Sequence, residues 1–431
     1  MILPAIPARD LTLPGRLGDS GLCPVDPCTL VEHVREHLTW PGGPRPMSAQ
    51  ILHVRWKPRV ALSALYALAL DDGEPALVTV KRYASDKGRA IAGSYQPDRR
   101  AREQSTRLQP YAALSDAGLY LYAFPTDREL IGLPRVLNLR RIGRGLDARG
   151  IWPGERVRAR HSRATLLRYK PEHRAVVRLD LVTTDACDAR REHVLAARVL
   201  APSAAARVVA ARRRFEQSRA QLSAPRLIAA EERTGLVYEE WLTGERFAPT
   251  DFSHASNAGA LLAAVHRPAP ASASCEAPRE RRELAALFAL DAELAARFAH
   301  CAVVDPPSAA TWVHGDFHPD QFLRSPDGGT ALLDWDALHV GHPVEDLAAW
   351  VADDLVAHPA HDFAHASREL LSAYASAGGA HAEETVLRAQ VATEIVRRAA
   401  AALRRIEDGA LERARELLLR AQSLADRASR T

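Results

Sequence analysis

The stretch that decides the fold is residues 311–350, TWVHGDFHPDQFLRSPDGGTALLDWDALHVGHPVEDLAAW. Asp316 lies in a predicted loop after a short strand, Gln321 follows it, and Asp334 ends a second short strand after a Gly-Gly turn. A hairpin could bring Gln321 and Asp334 to one end, where a carboxylate and an amide oxygen suit Mg²⁺. A further carboxylate, Asp316, can position a hydroxyl group and accept its proton. Single aspartates are common as helix caps and turn residues, so the prediction depends on the whole string.

The same string resembles a known signature. HGDFHPDQ, followed by LLDWD and GHPVEDLA, is similar to the pattern of the aminoglycoside phosphotransferase and choline kinase group, which are small-molecule kinases with a protein-kinase-like fold. That pattern is His-Gly-Asp-x-x-x-x-Asn, then Ile-Asp-Trp or Ile-Asp-Phe with an acid, then Gly-x-Pro-x-x-Asp-Leu-Ala. The spacing matches throughout. The resemblance is sharpest over 311–350, extends more weakly over 164–431, and says little about 1–155.

The resemblance implies roles for the residues of this string. Asp316 would be the catalytic base that orients the acceptor hydroxyl, and Asp334 would bind the Mg²⁺ that bridges the nucleotide phosphates. Gln321 stands where the family has a metal-binding asparagine; it keeps the amide oxygen on a side chain one methylene longer. The resemblance implies structural supports at His314, Asp336 and Asp346.

A β-rich nucleotide-binding lobe should precede the helical lobe. The resemblance places its phosphate hairpin at ATLLRYKPEHRAVVRL (164–179), its third strand at HVLAARVL (193–200) and its hinge at VYEEWLTGERF (237–247). The implied nucleotide-binding residues are Lys170, Arg198, Glu216 as the acidic partner on a helix, and the hinge residues Glu239 and Trp241.

The third-strand position, a lysine in the family, is Arg198 here, and three explanations stay open. Arg198 or Lys170 grips the phosphates, since Arg keeps the charge in a wider fork. Alternatively, Lys81 belongs to the working lobe and the domain assignment is wrong. In the third explanation, nucleotide handling is degenerate.

An internal repeat organises the N-terminal half. HVRWKP (53–58) resembles TLLRYKP (165–171), and Lys81 and Gly118 align with Arg198 and Gly235 at a common offset of 117 residues. One sheet unit has therefore been duplicated, unless the chain holds two unrelated meanders. The predicted domains are an N-terminal cap subdomain (1–155), as in maltokinase-like relatives, a kinase-like N-lobe (156–243) and a helical C-lobe (244–431).

Later residues have helical spacing, which makes the fold class α+β with a protein-kinase-like two-lobe arrangement. An Arg-rich stretch, 140–163, is expected to be a solvated connection. Helices are predicted over 256–267, 281–300, 344–356, 365–377, 382–406 and 410–427.

Composition excludes several classes of protein. A net charge of +4 over 431 residues does not indicate a nucleic-acid partner. No apolar run approaches 18 residues, so neither a transmembrane helix nor a membrane partner is expected. The start, MILPAIPARD, does not have the pattern of a signal peptide. Five scattered cysteines do not indicate a disulfide scaffold, and a cytoplasmic location is expected.

The sequence therefore predicts an ATP- and Mg²⁺-dependent phosphotransferase acting on a hydroxyl of a small molecule of aminoglycoside, sugar or amino-alcohol type, with GTP as the alternative nucleotide. A catalytically degenerate binding module that senses a nucleotide or metabolite is the rival. Arg198 and Gln321 favour the rival, whereas the intact Asp316 and Asp334 oppose it. A protein kinase is the weaker third option, because no glycine-rich loop or activation segment is present. No motif identifies the acceptor or the oligomeric state.

Overall fold

Two antiparallel sheets with matching strand order dominate the N-terminal half of the computed structural model. The structure describes residues 23–105, 107–217, 222–269, 280–289, 291–301, 303–306, 311–406 and 409–428. The N-terminal segment MILPAIPARD therefore lies outside the described residues. The elements of the first half are α1 (Pro27–His37), β1 (Pro46–Lys57), β2 (Ala61–Leu70), β3 (Pro75–Tyr83), α2 (Asp86–Gly93), α3 (Arg99–Gln104), β4 (Tyr111–Leu114), β5 (Leu119–Ala123), α4 (Leu133–Val136), α5 (Leu139–Ala148), β6 (Arg156–Val157), β7 (Arg163–Lys170), β8 (Arg174–Thr184), β9 (Arg190–Leu200), α6 (Pro202–Gln217), β10 (Leu227–Glu231) and β11 (Leu236–Glu240).

The strand orders repeat. The first sheet runs β1-β2-β3-β5-β4, and the second runs β7-β8-β9-β11-β10 with β6 added beside β8. Lys81 on β3 pairs with Tyr120, and Arg198 on β9 pairs with Val237, so both members of the pair keep the offset of 117 residues. These registers support the predicted duplication.

The turns of the two sheets also correspond. Arg59 and Glu172, 113 residues apart, both have positive φ in the turn after the first strand of their sheets. The offset grows from 113 to 117 because the whole β8–β9 hairpin (174–200) is four residues longer than the β2–β3 hairpin (61–83), with longer strands as well as a longer turn. A backbone detail that L-residues seldom adopt therefore recurs at the same place.

One hydrophobic core joins the two sheets. Apolar side chains of β1–β3 and of helices α4 and α5 are buried together with the inward faces of β7–β9 and β11. Leu65 and Leu77 come from the first sheet, and Val177 and Val199 from the second. The predicted cap and N-lobe thus share a core.

The second half of the chain contains short hairpins among helices. Its elements are β12 (Glu245–Arg246), α7 (Ala255–Val265), α8 (Glu280–Phe288), α9 (Ala292–Ala299), β13 (Thr311–Val313), β14 (Phe322–Arg324), β15 (Thr330–Leu332), β16 (His339–Gly341), α10 (Val344–Ala357), α11 (Phe363–Ser376), α12 (Glu384–Arg405) and α13 (Ala410–Ala428). Helix α11 packs on α7 and α10, and α13 packs on α9. A sheet-rich region followed by a helical one agrees with the predicted fold class.

The chain forms two compact units. One contains residues 1–207, 227–241 and 404–408; the other contains 208–226, 242–403 and 409–431. The predicted limit between cap and N-lobe, at 155/156, falls inside the first unit, and the predicted limit at 243/244 falls close to the division at 241/242. The domain assignment stays a prediction.

Three local expectations differ from the structure. The stretch 140–163 is not a mere connection: it contains most of α5, whose Ile142 and Leu146 are buried in the shared core. The predicted helix 281–300 is divided into α8 and α9, because the side chain of Asp291 caps a new helix start. Helices α2 and α3 were not predicted. None of the helices within the described ranges is long and apolar enough to cross a bilayer.

Candidate active site

The loop that carries Asp316 begins where a short two-stranded sheet ends. β13 pairs with β16, and the chain leaves β13 through His314 and Gly315. Gly315 has φ +82°, and a Cβ there would lie 2.5 Å from the carbonyl oxygen of Ala337. The backbone therefore requires glycine at this point of the HGD motif.

The buried carboxylate of Asp346 holds the start of this loop. Asp346, in the first turn of α10, accepts hydrogen bonds from the backbone N–H groups of His314 (2.7 Å) and Gly315 (2.8 Å). Nε2 of His266 lies 3.1 Å from the same carboxylate. Burial opposes ionisation, but the hydrogen bond and charge of His266 and the Gly315 N–H together hold the pKa of Asp346 below its usual value. Asp346 thus fixes the start of the Asp316 loop as a charged acceptor.

His314 joins this loop to the next one. Its side chain is buried, and burial holds the pKa of His314 below its usual value. Nε2 donates to the carbonyl oxygen of Leu333 (2.9 Å), because a carbonyl can only accept. Leu333 in turn donates its N–H to the carbonyl oxygen of Gln321 (2.8 Å). The predicted support role of His314 agrees with this position.

Asp316 lies partly exposed beside His318. Nε2 of His318 is 3.3 Å from Oδ1 of Asp316, and Nδ1 of His318 contacts the carboxylate of Asp320. Burial and the like charge of Asp334 oppose ionisation of Asp316, yet the hydrogen bond and charge of His318 hold the pKa of Asp316 below its usual value. Burial also opposes a charge on His318, but its two carboxylate partners outweigh burial and raise the pKa of His318 to about 10.

The hairpin of β14 and β15 brings Gln321 and Asp334 to one end. Phe322 pairs with Leu332, so the residues just before β14 and just after β15 are neighbours. Gln321 is buried, and its amide nitrogen lies 3.5 Å from Oδ2 of Asp316 and 3.0 Å from Nε2 of His318. The amide nitrogen can donate a hydrogen bond to Oδ2 of Asp316, which leaves the amide oxygen as the atom that could bind a cation.

Asp334 starts a 3₁₀ turn in the left-handed conformation, with φ 59° and ψ 61°. It lies close enough to Asp316 to act on its pKa. Asp336 is two residues on, half-buried in the same turn. The carboxylate of Asp334 and the amide oxygen of Gln321 lie at the ends of adjoining loops. They are ligand types suited to a hard cation such as Mg²⁺.

The predicted phosphate-binding cations belong to the sheet-rich unit. Arg198 is buried on β9, and its guanidinium lies 3.4 Å from the carboxylate of Glu239 on β11. Glu239, expected to meet adenine through its backbone, thus also pairs through its side chain. Lys170 ends β7 at the hairpin turn and is half-buried. Glu216, on α6, pairs with Arg212 (3.4 Å) on the same helix.

Two further contacts concern the hinge and the cap. The guanidinium of Arg178 lies 4.9 Å from the ring centroid of Trp241, the residue that follows β11. Lys81, buried on the cap strand β3, forms an ion pair with Glu172 in the β7–β8 turn. Lys81 therefore contacts the turn of the other sheet.

Comparison with known proteins bears on this arrangement. A model of the phosphotransferase enzyme family matches residues 154–380, more than half of the chain. The chain belongs to this family. The resemblance stated from the HGD string is thereby confirmed for the family, and the match begins close to the predicted start of the N-lobe at residue 156.

This member of the phosphotransferase family is similar to solved structures at low sequence identity. A macrolide 2′-phosphotransferase from Brachybacterium faecium is 17% identical, with 64% of this chain and 97% of that chain covered and a TM-score of 0.42. A choline kinase from Cryptosporidium parvum is 11% identical (63% and 92% covered, TM-score 0.45). A choline kinase from Streptococcus pneumoniae is 11% identical (66% and 98% covered, TM-score 0.45). No curated protein matches.

Sequence reasoning missed several contributors to the site of this family member. His318 and Asp320 lie inside the quoted string. The signal that could have identified them is their own His-x-Asp spacing, which begins two residues after Asp316. His266 lies 80 residues from Asp346, so no local pattern connects the two. Asp127, whose Oδ2 accepts hydrogen bonds from Tyr169 (2.8 Å) and the Glu172 N–H (2.9 Å), likewise required the fold.

Proposed function

We propose that this protein transfers the γ-phosphate of ATP to a hydroxyl group of a small molecule, with Mg²⁺ as the required cation. The observation that carries the proposal is the Asp316 loop. Its backbone is held by a buried carboxylate, and Asp316, whose pKa His318 holds below the usual value, lies beside the ends of two further polar loops. Membership of the phosphotransferase family supports the same reaction class.

The residues fit a magnesium ion. Asp334 and the amide oxygen of Gln321 would hold it, and the bound ion would neutralise charge on the transferring phosphate oxygens. Gln321 differs from the usual asparagine by one methylene, but its amide is buried and oriented by the carboxylate of Asp316. This surrounding therefore holds the Gln321 amide in one orientation, although the side chain is longer than that of asparagine.

Asp316 would act on the acceptor. Its carboxylate accepts a hydrogen bond from the acceptor hydroxyl, aligns the oxygen with the phosphorus and takes the proton as the new P–O bond forms and the bond between the γ-phosphorus and ADP breaks. His318, paired with Asp316, keeps this carboxylate ionised and oriented. An ionised base is available at neutral pH, because the pKa of Asp316 lies below its ordinary value.

The nucleotide would be held by cations of the sheet-rich unit. Arg198, anchored by Glu239, and Lys170, at the end of the phosphate hairpin, are the residues proposed to meet the phosphates. Backbone groups from Glu239 to Leu242 would meet the base. The acceptor class stays open among aminoglycosides, sugars and amino alcohols.

A degenerate binding module remains the second candidate, because Arg198 is already paired with Glu239 within its own sheet. A thermal-shift titration with ATP, GTP and ADP, with and without Mg²⁺, separates the two. A ligand at 100 times its Kd stabilises the folded state by about 2.7 kcal/mol. We expect a Mg²⁺-dependent shift with ATP that Asp334→Asn removes.

Catalysis is then measured as acceptor-dependent ADP release. Asp316→Asn should lower kcat by about 10²–10⁴-fold and leave the nucleotide shift unchanged. Asp327→Asn, the same substitution at an exposed turn residue, is the matched control. If no nucleotide shifts a well-folded sample, the kinase proposal fails and the binding module takes its place. If Asp316→Asn turned over at the rate of wild type, Asp316 would not be the base that accepts the proton of the acceptor hydroxyl.

A further inference from the structure

A histidine-rich cluster lies where α10 ends and α11 begins, in the sequence DDLVAHPAHDFAH (353–365). Asp354, His358 and His361 each offer one ligand atom, and these atoms lie within 4.8 Å of one another. Asp354 is buried, whereas the two imidazoles are about one-third exposed. The cluster takes no part in the phosphotransfer chemistry proposed above.

The two imidazoles converge on one oxygen atom. Nδ1 of His358 lies 2.6 Å and Nδ1 of His361 3.0 Å from Oδ1 of Asp354. Their rings are stacked, with centroids 4.6 Å apart. Two imidazole nitrogens and a carboxylate oxygen this close together are the ligand types that Zn²⁺ and similar transition metals prefer.

A fourth ligand position is within reach. The ring of His365 lies 4.1 Å, centroid to centroid, from the ring of His361. The cluster lines a cavity of about 360 Å³ that also contains Asp251 and Glu369. This space accommodates a cation together with a water ligand, so a water molecule can complete a tetrahedral shell, while His365 packs against His361 outside the ligand set.

The loop is held in shape by a residue outside the cluster. Arg420 of α13 donates hydrogen bonds to the carbonyl oxygens of Leu355 (2.5 Å), Pro359 (3.4 Å) and His361 (2.8 Å). These contacts fix the backbone around His358 and His361 independently of their side chains. A ligand set supported in this way loses little conformational entropy when it binds a metal.

The cluster is also in contact with the aromatic packing near the catalytic loop. The ring of His358 meets Phe252 (5.7 Å between centroids), and Phe252 meets Trp350 (5.1 Å). Trp350 packs on Phe317, the residue after Asp316. A metal bound at the cluster would therefore stiffen the packing behind the catalytic loop.

We infer that Asp354, His358 and His361 form a structural site for a divalent transition metal of the zinc class. Ligation through Nδ1 requires each neutral imidazole to carry its proton on Nε2, so metal replaces the two Nδ1–H···O hydrogen bonds without net proton loss. Mg²⁺ is a poor competitor, because it favours oxygen ligands and water.

The test uses the full chain without an affinity tag, freed of metal by a chelator and kept in excess Mg²⁺ to fill sites for hard cations. Calorimetric titration with ZnCl₂ and metal analysis of the dialysed protein should give one Zn²⁺ per chain. Co²⁺ should give the visible absorption bands of a tetrahedral site. Removing both histidines, in His358→Gln/His361→Gln, should weaken zinc binding by at least about 100-fold, since the loss of outer-shell partners alone costs up to that amount.

His381→Gln, at an exposed histidine outside the cluster, is the matched control and should bind zinc like wild type. His361→Gln alone serves if the double variant does not fold, and it should weaken binding while keeping the circular dichroism of wild type. The inference is overturned if wild type binds no Zn²⁺, or if a folded cluster variant binds it as tightly as wild type. Because the readout is metal binding, neither result depends on the phosphotransfer proposal.

Discussion

The buried carboxylate of Asp346 holds the start of the loop that carries Asp316. It accepts hydrogen bonds from two backbone N–H groups and from His266. In Asp346→Asn one oxygen becomes an amide that donates, so a donor faces a donor in a buried place. We expect a loss of about 2–4 kcal/mol in the free energy of unfolding, measured by urea denaturation.

The stability lost in Asp346→Asn should depend on pH. A carboxyl whose pKa is lowered in the folded state contributes stability that is present above its unfolded pKa and is lost as pH falls through the folded pKa. The difference between wild type and Asp346→Asn should therefore be full at neutral pH and shrink in acid, below the usual range for aspartate. Asp327→Asn is again the control. A difference that is equally large in acid would contradict the charge-based role of Asp346.

At this scale the sequence predicted residues better than it predicted contacts. Asp316, Gln321 and Asp334 could be found because they lie within one short string with a specific spacing. The partner of Arg198 on β11 could not be found, because cross-strand pairing depends on the register between β9 and β11. The same reason hid His266, which reaches Asp346 only after α7 packs in the helical unit.

Among the elements, the β7–β8 turn has the most informative surroundings. Glu172 forms an ion pair with Lys81 of the cap and lies 3.9 Å from Arg128, and its N–H donates to the buried carboxylate of Asp127. Lys81 also lies 4.7 Å from the ring centroid of Tyr83. The cap thus fixes the turn of the hairpin proposed to cover the phosphates.

Loosening this turn should affect nucleotide binding more than chemistry. On the proposed function, Lys81→Met should raise KM for ATP several-fold and change kcat little, because the phosphates lose a positioned hairpin but Asp316 is untouched. Lys87→Met, at an exposed lysine of α2, is the matched control. The measurement is steady-state kinetics at varied ATP concentration.

A double-mutant cycle with Glu172→Gln attributes the effect to the pair. We expect a coupling between about 0.5 and 3 kcal/mol in the free energy derived from kcat/KM. Additive effects of the two substitutions would show that Lys81 acts in another way. If Lys81→Met instead lowered kcat as strongly as Asp316→Asn, Lys81 would belong to the working site and the domain assignment would have to change.

The elements themselves were largely predictable from periodicity and turn residues. Strands such as β2 and β8 and helices such as α10 and α13 follow the expected patterns closely. The Arg-rich stretch misled because its charges dominate the composition, whereas its fold is decided by a few apolar side chains, Ile142 and Leu146, at helical spacing. The break between α8 and α9 depended on the N-cap at Asp291.

For the whole molecule, the extent of the family match and the extent of a stable folding unit differ. The match begins at residue 154, yet the core beneath the second sheet is completed by side chains of the first. Leu65, Leu77 and Leu133 pack with Val177 and Leu195 in that core. A chain that begins at residue 156 would expose the inward face of β7–β9 to water.

We therefore expect residues 156–431, expressed alone, to aggregate or to lack a cooperative unfolding transition, since a large exposed apolar face favours association. The full chain is the reference, and size-exclusion chromatography with circular dichroism is the measurement. Supplying residues 23–155 as a separate polypeptide should restore a soluble complex, because the interface is a hydrophobic core with the added Lys81–Glu172 pair. A monomeric 156–431 with the Tm of the full chain would show instead that the cap is dispensable for folding and that its contacts serve only to position the hairpin.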